Sequence, residues 1–553
     1  MTRSSWQAPL LWLAAFTGAV VFAVQVSREL AATSVWDDAW MFVRYAEQLL
    51  ATGVPAFAPG GHGVYGLTSP AFLTVVAPVR ALLGADPVRV ALLSSLFCGV
   101  LFLALLSRMV VRLTAESPRR RAATFALVGF TLAYAAPAIA RHFASGMDTT
   151  FALAYLTVWI MLAHACSRYV ADEATWTLGA FGGMAFSVRP DLLVFTVGVP
   201  ALCAVFATHW RTRNSQASAA FFTLFVALLQ SAVYAWWLHS PVPLPFFAKT
   251  FGFYGPTLRA AYDGVAIAEV SGFLRAMSAL RAVFAAAVVL HPIRWWNAAS
   301  PLEKALFFTG IAFTAYHAFA VVPIMGYAGR FEMPLFPVLV YLAACSLAHL
   351  AKWYPQAVWR SLLVTLVALA VAGVLVRRIV AHQIARGPAR VAAAERFDLH
   401  AAWRANGANY WVALDRVSRL PDDMVIATTE VGMPLVLSPG RRIIDLAGLN
   451  ETSMMRHHVS ADSVVRRDRP DLVYLPHPHY AEMRDALLAD PVFERDYEIW
   501  PAAALRADMG AAVRRDGPYA DSLRALFAAR AAETAARAVP ATPSAPAAPA
   551  SGH

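Results

Sequence analysis

Apolar positions along roughly the first 380 residues gather into runs rather than alternating with polar ones. A membrane-spanning helix needs about 20 apolar residues. Runs of that length fall near 8–25, 88–107, 122–140, 149–166, 217–238, 275–292, 304–322, 334–350 and 360–376. Between 175 and 207, "TWTLGAFGGMAFSV" and "LLVFTVGVPALCAVFA" flank "RPD", which predicts a hairpin with Arg189 at its turn. The pattern therefore predicts a polytopic α-helical membrane protein of about eleven transmembrane helices, over 1–378. Residues 69–84, "SPAFLTVVAPVRALLG", are marginal in length and are expected to lie along the membrane or dip into it. The period changes after about 395, where "MVIATT" (424–429), "RRIIDLAGL" (441–449) and "PDLVYLP" (470–476) alternate with helical segments. These predict a small C-terminal α/β domain over 395–526. Residues 527–553 are rich in Ala and Pro, offer little to build a core, and are expected to be disordered.

Composition agrees, because 59% hydrophobic and 15% charged residues exclude an ordinary soluble chain. The net charge of +11 does not mark a nucleic-acid partner: only three lysines occur, and the arginines are scattered over loops. It marks orientation instead, since short cytoplasmic loops collect Lys and Arg. "SRMVVRLTAESPRRRAA" carries five arginines between 108 and 121, and alternation puts the basic "HWRTRN", "IRWWNAASPLEK" and "AKWYPQAVWR" on that same side. The 26–87 loop, "ARHFASGMDTT", "SPVPLPFFAKTFGFYG", "MGYAGRFEMP" and the C-terminal region then lie on the far side. Cys98, Cys166, Cys203 and Cys345 sit inside apolar runs without the spacing of zinc ligands or disulfides. The first apolar run lacks a convincing small-residue cleavage site and is expected to be a retained span.

Polar residues at membrane depth are costly and mark sites. Asp37 and Asp38, framed by Trp36 and Trp40, open an amphipathic helix just after the first span. One such aspartate would be a helix cap; two together suit a general base with its helper, or a ligand pair for a divalent cation such as Mg, Mn or Ca. Asp148 and Thr149 in "FASGMDTTF" allow either a cap or a site. Lys249 beside an aromatic pair could snorkel to a headgroup or meet a phosphate. Arg330 in "GYAGRFEMP" could hold a phosphate in bidentate fashion. Arg189 is expected to pair with Asp191, and His477 and His479 to occupy an ordinary loop.

Together, "DDAWMFVRYAEQLLATGVPAFAPGGHGVYGLTSP", "SGMDT", "RPDLL", "PLPFFAKT", "GRFEMPLFPVL" and "IATTEVGMPLVLSPGRRIIDLAGLNE" resemble, in order and spacing, the landmarks of bacterial GT-C glycosyltransferases. The nearest named relatives by this pattern are the terminal arabinofuranosyltransferases of cell-wall arabinan, which use decaprenyl-phosphate arabinofuranose. The resemblance implies a multi-pass protein of the bacterial inner membrane with its site and C-terminal domain on the periplasmic side. It implies inverting transfer of a sugar, here a pentofuranose, from a polyprenyl-phosphate donor to a glycan, glycolipid or protein hydroxyl, with no cofactor required and an optional divalent cation. Carried onto this chain, the base falls on Asp37 or Asp38. Lys249 and Arg330 fall on the donor phosphate, and Tyr65, Thr68 and Ser69 on the sugar-facing loop. Arg44, Arg189 and Asp148 join the substrate-binding set, although the family pattern often has Glu where Asp148 stands. The alternative is a polytopic transporter of a lipid-linked or small polar substrate, which two matched halves with broken helices would have favoured.

Overall fold

The computed structural model describes residues 7–32, 35–59, 61–84, 86–168, 172–250, 264–322, 324, 326–354 and 411–538. The chain divides into two compact units, Met1–Ala402 and Trp403–His553.

The first unit is helical, and each of the apolar runs up to 334–350 falls on helix. The run 360–376 lies outside the described residues. Five helices are long and apolar enough to cross a membrane: Ala8–Ala31, Pro87–Leu113, Thr149–Ser167, Trp210–Trp237 and Leu335–Trp353. Two further pairs, Pro118–Tyr134 with Ala136–Phe143 and Val265–Ala276 with Ser278–Leu290, bend by 85° and 82° and bring the count among the described residues to seven at most. The expected eleven crossings are therefore not reached there. Pro301–Phe319 is not among the five: it opens with Glu303 and Lys304 and carries His317. The apolar stretch Pro70–Leu83 is also too short to span, in keeping with the reading of 69–84.

Local signals set these boundaries. Asp86 caps Pro87–Leu113, its carboxylate accepting from the N–H groups of Val88 at 3.0 Å and Arg89 at 3.2 Å. Ser300 and Glu303 form a capping box at the head of Pro301–Phe319. The hairpin breaks where the sequence predicts, because Arg189 precedes Pro190 and is forced out of the helical region to φ −166°, ψ 121°. Helices Gln7–Ala31 and Pro118–Tyr134 touch backbone to backbone at Gly18 and Gly129, where a Cβ on Gly18 would fall 2.2 Å from the Gly129 carbonyl oxygen. Phe102, Phe143, Trp159, Phe195, Phe313 and Phe336 lie within one continuous core. Large apolar side chains outside it, such as Phe221, Trp236 and Phe319, are exposed, which suits a lipid-facing surface.

The second unit is built on a five-stranded mixed sheet of order β2-β1-β3-β5-β4, with β1 Ile426–Thr428, β2 Ile443–Asp445, β3 Leu472–Tyr474, β4 Tyr497–Trp500 and β5 Ala511–Arg514. Strand β1 runs parallel to β2 and β3, and β5 antiparallel to β3 and β4. The three expected strands are present; β4 and β5 were not foreseen. The expectation of disorder from 527 is corrected, since Ala520–Ala538 is one helix. Alanine has the highest helix propensity, and Leu523 and Phe527 are buried, Phe527 with its ring 6.2 Å from that of Trp500. Residues 539–553 lie outside the described ones.

Candidate functional site

The site begins at the head of helix Asp37–Thr52, whose N-cap residue is Trp36 and which no side chain caps. Both aspartates therefore occupy its first turn, where the macrodipole favours them. The backbone N–H of Trp36 donates to the Ser145 carbonyl at 3.0 Å, tying this helix to the "ASGMD" turn. Gly146 makes that approach feasible. Its φ is +74°, and a Cβ there would lie 2.8 Å from that of Ala39 and 2.9 Å from that of Ala91. Asp148 then follows at the mouth of helix Thr149–Arg168, fully buried.

Arg330 joins the two carboxylates. Its Nη2 donates to Asp148 Oδ1 at 3.0 Å, and its Nη1 lies 3.5 Å from Asp38 Oδ2. Arg330 is itself buried, on a turn that follows the left-handed Ala328 and Gly329 and precedes helix Leu335–Trp353. Arg189 donates to Asp191 as expected, Nε to Oδ1 at 3.2 Å, and also from Nη1 to the Arg330 carbonyl at 3.3 Å. Asp191 Oδ2 lies 3.3 Å from His317 Nε2. Lys249, on helix Leu244–Thr250, donates to the Ile324 carbonyl at 2.9 Å. Burial lowers its ammonium to about 8, although Asp38 pulls the other way. Phe331 is the hub: Lys249 Nζ is 5.2 Å from its ring centre, Arg330 Cζ 5.9 Å and Arg189 Cζ 6.0 Å, and His317 stacks on it at 5.7 Å.

The chain shares its fold with ArnT. The crystal structure of ArnT from Cupriavidus metallidurans bound to undecaprenyl phosphate is 14% identical, with TM-score 0.53 over 94% of this chain and 99% of its own. More distant are the apo state of ArnT, 13% identical with TM-score 0.47 over 90% and 98% of the two chains, and the archaeal oligosaccharyltransferase AglB from Archaeoglobus fulgidus with an inhibitory peptide and a dolichol-phosphate. The AglB likeness is 12% identical, with TM-score 0.48 over 90% of this chain and 73% of that one. No family model and no curated protein matches the sequence.

Five residues singled out in the sequence, Asp38, Asp148, Arg189, Lys249 and Arg330, thus meet in one cluster. Asp37 is a neighbour on the same turn, and Asp38 is the one that lies 3.5 Å from Arg330. Other named residues lie elsewhere. Arg44 donates from Nε to the Phe57 carbonyl at 3.2 Å, which braces the first-loop turn. Tyr65 packs on Tyr234, with ring centres 4.7 Å apart, in the wall of an apolar cavity of about 280 Å³ that also touches Tyr45, Leu67, Pro70 and Trp237 and none of the clustered charges. Ser69 precedes the short 3-10 turn Pro70–Phe72 with its hydroxyl buried, and Thr68 is half-buried beside it. Thr149 has a buried hydroxyl without a partner among the described residues. His477 and His479 belong to a 3-10 turn, Nδ1 of the first accepting from the backbone N–H of the second at 3.3 Å.

Sequence reasoning missed His142, His317, Phe331 and Glu332. His142 Nε2 donates to the Ala328 carbonyl at 3.2 Å, because a carbonyl can only accept. His142, His317 and Glu332 share a signal, a polar group inside or at the edge of an apolar run, which Phe331 does not give. Among the described residues no three His, Cys, Asp or Glu side chains gather as metal ligands. Asp38 lies 3.5 Å from the Arg330 guanidinium.

Proposed function

We propose that the protein transfers a sugar from a polyprenyl-phosphate donor to an acceptor hydroxyl at a membrane surface. The observation that carries this reading is the Arg330 clamp, a buried guanidinium between a buried and a part-exposed carboxylate, with Lys249 and Arg189 around the same ring. Cations gathered in a buried place suit a phosphate. An accessible carboxylate beside them suits the removal of a proton. The fold shared with ArnT, whose structure holds undecaprenyl phosphate, supports the same class of donor.

Asp38 accepts the proton of the acceptor hydroxyl, whose oxygen bonds to the anomeric carbon. The bond from that carbon to the phosphate oxygen breaks, and the electron pair leaves with the lipid phosphate, whose charge Arg330 and Lys249 meet. One displacement inverts the anomeric centre. The sequence resemblance favours a pentofuranose such as arabinofuranose, a periplasmic glycan, glycolipid or protein acceptor, and the inner membrane as location.

The test uses amide replacements, which keep shape and remove the proton acceptor. Asp38→Asn is expected to lower transfer from an undecaprenyl-phosphate sugar by about 10²- to 10⁴-fold, with Asp37→Asn much less affected. Full activity in Asp38→Asn, measured by release of labelled sugar to acceptor in proteoliposomes, would defeat the assignment.

A further inference from the structure

The cluster contains more polar atoms than its internal contacts use. Asp148 Oδ2, Arg330 Nε, the Nδ1 atoms of His142 and His317, and Glu332 Oε2 are all buried without a hydrogen-bond partner among the described residues. A buried polar group left this way is expensive, and more so when charged. Five such atoms, one of them the arginine's own Nε, point to a hydroxylated or ionic ligand that completes them. Donors and acceptors divide among them. Arg330 Nε donates, which suits a phosphate oxygen; His142 Nδ1 accepts, since its Nε2 donates to Ala328, and Asp148 Oδ2 and Glu332 Oε2 can only accept when ionised, none of which a phosphodiester can use.

Asp148 is already half engaged, by Arg330 at 3.0 Å. Glu332 has no such cation: it is 2% exposed, no salt bridge to it is found among the described residues, and the field of His317, Arg189 and Asp191 reaches it. Burial raises its carboxyl above the ordinary range. Its backbone N–H donates to the Gly329 carbonyl at 3.1 Å, which fixes it on the turn that carries Arg330 and Phe331. A side chain that accepts hydrogen bonds is thus built two residues from the guanidinium assigned to the phosphate. In a phosphate-linked sugar, the groups nearest the phosphate that donate hydrogen bonds are the ring hydroxyls.

We propose that Glu332 accepts hydrogen bonds from the hydroxyl groups of the transferred sugar and so sets which polyprenyl-phosphate sugar the protein uses. The inference rests on the lipid-phosphate-sugar reading above and gives its sugar a recognition residue. A site that pairs a hydroxyl with a buried acceptor discriminates strongly against a ligand lacking that hydroxyl, because the acceptor is then stranded.

The experiment measures binding to the full-length protein in nanodiscs, with undecaprenyl phosphate and with undecaprenyl-phosphate-linked arabinose, glucose and mannose as probes. Glu332→Gln keeps the shape and Glu332→Ala removes the group. Both are expected to bind undecaprenyl phosphate within about two-fold of the parent, while the preferred sugar lipid loses about ten-fold or more, the range for a hydrogen bond to a charged group, and the ranking among the sugars narrows. The retained binding of the bare lipid reports that the variants are folded. Equal losses for bare and sugar-bearing lipids, or none for either, would overturn the role of Glu332 while leaving the transferase reading standing. A parent protein that bound none of these lipids would overturn that reading and this inference with it.

Discussion

The contact between Arg330 and Asp148 allows a sharp test of how the site is held together. Asp148 is fully buried and 3.0 Å from the guanidinium, so its charge relies on Arg330 rather than on bulk water. Removing one partner of a buried pair typically costs about 3–5 kcal/mol, because the other is left uncompensated. The pairing with Asp38 differs: the separation is 3.5 Å and the Asp38 side chain is 23% exposed, a geometry for which about 1 kcal/mol or less is expected. Arg330→Ala alone should therefore destabilise by about 3–5 kcal/mol. Adding Asp148→Asn to it should recover about 2 kcal/mol or more, near the upper part of the usual range for coupled residues. Adding Asp38→Asn should recover less than about 1 kcal/mol. The assay is reversible unfolding in mixed micelles followed by tryptophan fluorescence, with both double-mutant cycles run side by side. Sugar transfer should stay lost in all Arg330 variants, since restoring stability does not restore a phosphate contact. A coupling to Asp38 equal to or larger than that to Asp148, or none to either, would refute the reasoning.

Lys249 gives a pH dependence. Its folded value, about 8, lies below the ordinary lysine value of 10.5, so between these values the unfolded chain holds a proton that the folded one does not, and stability rises with pH across that window. Phosphate binding by the ammonium should run the other way: affinity for an undecaprenyl-phosphate sugar, a phosphodiester, falls as pH rises through about 8, and Lys249→Met flattens the profile; a parent profile without that fall, in titrations by tryptophan quenching, would count against the contact. In the second unit, Arg441 is fully buried and donates to the carbonyls of Val417 at 3.0 Å, Leu420 at 2.6 Å and Pro421 at 3.1 Å and to Ser438 Oγ at 3.1 Å. Arg441→Ala strands those acceptors, and about 3 kcal/mol or more of destabilisation is expected, read as protease sensitivity near 420.

How much of this was legible follows from the kind of signal each residue gave. Asp38, Asp148, Arg189, Lys249 and Arg330 stood out because an apolar chain tolerates few isolated charges, and those it keeps have partners. Glu332 did not, since it follows Arg330 in a motif whose arginine drew the attention, and His317 lay inside a run read as a span. The bend at Ala135 had a visible cause in Pro137, whereas nothing in the sequence around Met277 announces the 82° turn between its helices. Strand β5 is "AAVR", too rich in alanine for strand propensity to reveal, and it becomes a strand through pairing with β3 and β4. Alanine misled in the opposite sense after 527, where a composition read as disorder is a helix anchored by Leu523 and Phe527.

Arg330 is asked to serve three anions once a phosphate arrives, and the geometry says which contact yields. The Asp148 contact is short and dry, whereas that to Asp38 is long and partly wet, so a phosphate draws the guanidinium away from Asp38 first. Asp38 then loses its cation as the donor is seated, which is when a base is needed. Before that, its negative charge competes with the phosphate for Arg330 and repels it. Neutralising Asp38 should thus strengthen lipid-phosphate binding while abolishing transfer, two effects of opposite sign from one substitution. Releasing a part-exposed pair worth about 0.5–1 kcal/mol corresponds to about two- to five-fold tighter binding. Undecaprenyl-phosphate sugar titrated into Asp38→Asn in nanodiscs gives the first quantity, and proteoliposome transfer the second. Weaker binding together with lost transfer would mean that Asp38 holds the donor directly, or holds Arg330 in place for it, and the assignment of the proton-accepting role to Asp38 would fail.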